Sequence, residues 1–142
     1  MKQHTTNYTN TFIEVADDSP AVNGEVPPSK GGSPIGAPTV AGLQFELLSR
    51  NPYKFTSDEV LFAVFAERND IAESELDKAR QEFFSKGQPC FRSSPLTKRY
   101  GWGIHNDAQG RIAMYGLGST EYDQFVADEK LTTVKAMRSK RG

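Results

Sequence analysis

One cysteine, one tryptophan and two histidines occur in 142 residues, and each scarcity excludes something. A lone thiol cannot close an internal disulfide, which points away from an oxidising compartment and toward the cytoplasm. One cysteine and two histidines supply too few soft ligands for a structural zinc site. Asp17 and Asp18 stand in no calcium-loop pattern and read more simply as a turn. No metal and no cofactor are therefore expected. Long apolar runs are also missing. The longest, Val60 to Ala66 (VLFAVFA), is far too short to span a bilayer. The opening MKQHTTNYTN lacks the apolar stretch of a secretory leader, so no membrane partner is expected. The segment SKGG at 29–32 lacks the spacing of a phosphate-binding P-loop.

The formal net charge is -1, yet it is unevenly spread. Residues 1–85 hold 7 Lys and Arg against 13 Asp and Glu; residues 86–142 hold 10 against 5. Lys86, Arg92, Lys98 and Arg99 fall in a stretch without acids, and so do Lys130, Lys135, Arg138, Lys140 and Arg141. Such cations either pack against the acidic half, line a solvated face, or converge on an anion.

The pattern of apolar and breaker residues predicts one α+β domain over 1–142. Residues 1–9 are expected to be flexible, 24–38 to be a long Gly/Pro-rich loop, and 139–142 to be a basic tail. Phe12–Ala16 reads as a strand ending in the turn signal Asp17-Asp18-Ser19-Pro20. Residues 24–38 carry four glycines and four prolines, too many breakers for any regular element. Thr39 caps a helix with an apolar stripe at Val40, Leu43, Leu47 and Leu48, stopped by Asn51-Pro52. Thr56 and Glu59 form a capping box for a second helix, apolar all round and therefore buried. Asp70 and Glu73 repeat the pattern for a third, closed near Gly87. RYGWGIH and RIAMYGL, joined by NDAQG, read as a hairpin. Ser119 caps a short helix. The segment LTTVKAMRSKR fits strand or helix and is taken as a strand. The expected fold is an antiparallel sheet (N-terminal strand, hairpin, C-terminal strand) with three to four helices packed on one face.

In SPLTKRYGWGIH the only tryptophan stands between two glycines. Read as a strand, Tyr100, Trp102 and Ile104 share one face, and Arg99, Gly101, Gly103 and His105 the other. Glycine weakens a strand, so two of them need a reason. A register placing Ile104 opposite Ile112 sets Tyr115 over Gly101. The alternative is that the glycine strip floors a pocket rimmed by Lys98, Arg99 and Tyr115.

Three functional readings follow. The first is a binding module for a small anion, with Arg92, Lys98, Arg99, Tyr115, Arg138 and Lys140 as ligand contacts and no catalytic role. The second is a nucleic-acid-associated protein, in which the same cations track phosphates while Phe91, Tyr100 or Trp102 stack on bases; a pI near 6.1 and the lack of a reading motif speak against it. The third is a thiol enzyme built on Cys90, flanked by Lys86 and Arg92, with His105 as its base. A homodimer through a sheet edge is also open.

The segments TNTFIEVADD, EVPPSKGG, PTVAGLQFELL, YKFTSDEVLFAVFAERNDI, FFSKGQPCFRSSPLTKRYGWGIH and VKAMRSKR together resemble a small bacterial family known as a domain of unknown function. The resemblance covers nearly the whole chain, and SPLTKRYGWGIH is its most specific block. It implies a compact cytosolic bacterial protein and brings no activity, cofactor or catalytic residue.

Overall fold

Thr11–Glu14 forms the first strand (β1), and although first in the chain it lies inside the sheet. In the computed structural model, which describes residues 3–28 and 39–139, β1 pairs antiparallel with β2 (Trp102–Asn106). β2 pairs in turn with β3 (Ile112–Gly116), forming the expected hairpin. The C-terminal segment is a strand, β4 (Thr132–Lys135), on the other side of β1, giving the order β3-β2-β1-β4. The fold is α+β as expected, but its sheet is mixed, because β4 runs parallel to β1. The cause is the connection. A helix between β3 and β4 carries the chain back along the sheet, so both strands run the same way, as crossover connections require.

The helices start where their caps allow. The Thr39 hydroxyl accepts from the Gly42 amide at 3.0 Å and opens α1 (Val40–Arg50). Thr56 and Glu59 make the reciprocal capping box of α2 (Ser57–Arg68). The Asp70–Glu73 box does not form. Asp70 takes a left-handed φ of 51°, a 3₁₀ turn follows at Glu73–Glu75, and α3 begins only at Leu76, running to Phe83. Asp tolerates that conformation and terminates α2 rather than starting a helix. With Phe84 as the cap residue, Gly87 has no part in closing α3. Ser94 and Pro95 open a one-turn helix, α4 (Pro95–Lys98). Ser119 caps α5 (Thr120–Ala127) through the Tyr122 amide.

The main core lies between the sheet and the layer of α1, α2 and α4. Ile13, Ile104 and Ile112 meet Leu48, Val60, Phe91 and Leu96 there, each at most 2% exposed. The second face is covered by α5, where Phe12 and Val15 pack on Tyr122, with Phe125 and Leu131 at the edge. The segment before β1 is tied to α2. Thr5 and Thr6 hydroxyls and the Thr6 amide all donate to the Asp58 carboxylate at 2.6–2.7 Å.

The glycines flanking Trp102 now have their reasons. The strand starts at Trp102, not Arg99, because Lys98 ends a helix and Gly101 turns the chain with φ +78°. Gly101 lies against the Asn23 carbonyl, and Gly103 lies beneath Phe12 and Tyr122, where a Cβ would come within 2.7 Å of Tyr122 Cε2. The register is two residues from the expected one: Ile104 faces Met114, and Tyr115 faces Gly103. A shift of two preserves which side chains share a face. The strip is covered, and no open floor remains for a pocket there.

Candidate functional site

The residues expected to gather around one anion fall in three places among the described residues. Arg92 donates from Nε to the Lys135 carbonyl at 2.8 Å, beside the start of the chain's exit from β4, and Arg138 is exposed a short way along that exit. Tyr115 is on the α5 face, its hydroxyl 2.9 Å from that of Tyr53. Lys98 and Arg99 end α4 on the helical side, where Arg99 lines a cleft. Lys140 lies outside the described residues, as do residues 29–38 of the long loop. Cys90 and His105 do not meet. Cys90 borders a cavity on the α2 side, with its Sγ 3.6 Å from the Tyr8 hydroxyl, whereas His105 stacks on Phe125 of α5 at 4.3 Å.

The cleft beside Arg99 has a volume of about 360 Å³ and is walled by Thr39, Val40, Ala41, Arg68, Pro95 and Tyr100. Two guanidinium groups thus stand at the N-terminus of α1, whose first turn contains no acid. The free amides there carry partial positive charge. Both arginines are exposed, and among the described residues neither is in an ion pair; Arg50–Glu46 and Lys135–Asp17 are the pairs formed. Arg68 at the end of α2 also suits that helix's negative pole. The sequence reading missed Arg68 as a ligand contact, although a signal existed. Leu61, Val64, Phe65 and Arg68 recur at i, i+3, i+4 and i+7, one helical face, and all four border a cavity of about 550 Å³. That cavity shares Val40, Arg68 and Pro95 with the cleft, so the two adjoin.

A second cluster occupies the α5 face. The Tyr53 hydroxyl lies 2.8 Å from His105 Nδ1 and 2.9 Å from the Tyr115 hydroxyl, and Phe125 packs on both the imidazole and the Tyr115 ring. Burial lowers the His105 pKa below its usual 6.5, with Asp107 and Asp128 opposing. The ring is therefore neutral at pH 7. Burial and the Tyr115 hydrogen bond raise the Tyr53 phenol well above its usual range. Tyr53 also takes φ 60°, an unfavourable conformation for a bulky residue. Nothing in NPYKFT signals this, because both partners lie more than 50 residues away.

These elements define an α+β protein with a four-stranded mixed sheet and a cleft lined by two arginines beside a largely apolar cavity. Its sequence matches a family of unknown function (DUF6157) over residues 3–142, and the chain belongs to that family. No curated protein and no solved structure matches it. Among the described residues no helix is long and apolar enough to cross a membrane.

Proposed function

We propose that this is a cytoplasmic bacterial binding module for a small anion, held by Arg68 and Arg99 at the N-terminus of α1 with Lys98 at the margin. The observation that carries this reading is the pairing of two exposed guanidinium groups, free of carboxylate partners among the described residues, across one concave cleft. Arginine forks match carboxylate and phosphate oxygens in two-point contacts. The first-turn amides of α1, at Val40 and Ala41, border the same space and add partial positive charge. Arg92, Arg138 and Tyr115 are too dispersed to join them, and their part in the reading falls away.

The nucleic-acid alternative has less support. Phe91 is 1% exposed, and Trp102 packs on Phe45 while donating from Nε1 to the Glu25 carbonyl at 2.8 Å. Of the three candidate stacking rings these two are engaged in packing, and Tyr100, half-buried in the wall of the cleft, is the one left.

A thermal-shift titration with phosphate and small carboxylates at low salt tests the proposal. An anion at ~100 times its dissociation constant stabilises by ~2.7 kcal/mol. The shift should vanish in Arg99→Glu and Arg68→Glu. A shift that survives both substitutions would refute the site.

A further inference from the structure

We infer that the anion is the head group of an amphipathic molecule, whose single unbranched alkyl tail lies in the cavity beyond Arg68. This rests on the anion reading above and goes further, to the class of ligand. The cleft and the cavity adjoin at Val40, Arg68 and Pro95, so a molecule gripped at the arginines can extend past Arg68 from one into the other. Past Arg68 the cavity is lined by Leu61, Val64 and Phe65 of α2 and by Phe83 of α3, whose ring packs against Phe65 at 4.7 Å to form one apolar wall.

Several polar atoms along the path are already engaged with the protein. Ser94 Oγ donates to Gln44 Oε1 at 2.6 Å, Gln88 Nε2 to the Phe83 carbonyl at 2.7 Å, and Ser93 Oγ to Met137 Sδ at 3.0 Å. A sugar or nucleoside entering here would lose water without gaining these groups, which is unfavourable for its hydroxyls. An alkyl chain loses nothing and gains burial. At about 550 Å³ the cavity lies in the range of small-molecule sites. Charge at one end and an apolar wall behind it complement an alkyl carboxylate or alkyl phosphate.

The sole cysteine gives the position of the tail. Cys90 borders the cavity and is partly exposed. Binding is measured by calorimetry with decanoate, decyl phosphate, acetate and decanol, all below micellar concentration, together with the rate of Cys90 alkylation by N-ethylmaleimide. The expected result is that decanoate or decyl phosphate binds at least tenfold tighter than acetate, that affinity rises about three- to fourfold per buried methylene, and that the tighter ligand slows alkylation at least tenfold while acetate does not. The comparison of the two charged heads identifies carboxylate or phosphate. In the Arg68→Glu/Arg99→Glu variant, whose folding is checked by circular dichroism, protection should be lost. If acetate binds through the arginines but the tail adds nothing, the amphipathic ligand is overturned and the anion site stands. If decanol protects Cys90 as well as decanoate does, the amphipathic ligand is overturned whether or not acetate binds; if no ligand binds, both readings fall.

Discussion

Ile13, Ile104 and Ile112 look out from one face of the sheet onto three helices, while Phe12, His105 and Tyr115 look out from the other onto one. The first face is shielded deeply enough for aliphatic side chains to lose nearly all contact with water. The second is shielded mainly by the eight residues of α5, with Leu117, Leu131 and Tyr53 at its margins, and there the apolar Phe12 and Phe125 share the face with Tyr122, His105 and Tyr115, which are hydrogen-bonded through their hydroxyls and His105 Nδ1. The Tyr122 hydroxyl accepts from the Val15 amide at 2.8 Å, and its pKa is pushed up to about 12, chiefly by burial. The Tyr53–His105–Tyr115 row follows the same rule. In the thick layer aliphatic burial dominates; in the thin layer hydrogen bonds also hold the rings it half covers. The proposed ligand site belongs to the thick side, at the seam where α1, α2 and α4 leave a gap.

That contrast can be broken most forcefully in the thick layer. Phe91→Ala should cost about 3–5 kcal/mol in urea unfolding, the range for a fully buried aromatic, and Phe125→Ala clearly less. Equal losses would mean that α5 carries as much of the fold as the main core. Next is Gly103→Ala, where the new methyl meets Phe12 and Tyr122. About 1–3 kcal/mol of overpacking is expected, and an unchanged melting curve would show that α5 lifts freely. Tyr53→Phe removes two hydrogen bonds for about 1 kcal/mol and should raise the His105 pKa toward 6.5 if loss of the phenol lets water reach the ring; nitrogen-15 NMR of the imidazole reads the change. The smallest effect is in pH. His105 has a lowered folded pKa, so the unfolded chain binds the proton more tightly. Its contribution to stability is fully present above the unfolded value of about 6.5. It is lost as pH falls through the folded value, and it should disappear in His105→Gln.

Much of the helical side was legible because its signals are local. Thr39, the Thr56–Glu59 pair and Ser119 each act within three residues, and all three cap the helices they announce. Asp70 and Glu73 show the limit. The same spacing is also met by a residue that ends one helix in a left-handed turn before the next begins. The parallel pairing of β4 was out of reach, because strand direction depends on where α5 returns the chain and not on LTTVK itself. Face assignments in the hairpin survived a two-residue register error because the pleat repeats every two residues. Of the proposed anion contacts, Arg99 was visible as part of a basic stretch. Arg68 was hidden by its neighbour Glu67 and by its plausible place at a helix end, though its spacing from Leu61 and Val64 was readable.

The most direct test of the basic cleft is an amide and arginine-side-chain NMR titration with acetate and phosphate at low salt. The account predicts saturable shifts at Val40, Ala41 and Gly42 and at the Nε groups of Arg68 and Arg99, with His105, Tyr53 and Tyr115 unmoved. Saturable shifts centred on the Tyr53–His105–Tyr115 row, with α1 silent, would place the working site on the thin face and contradict it.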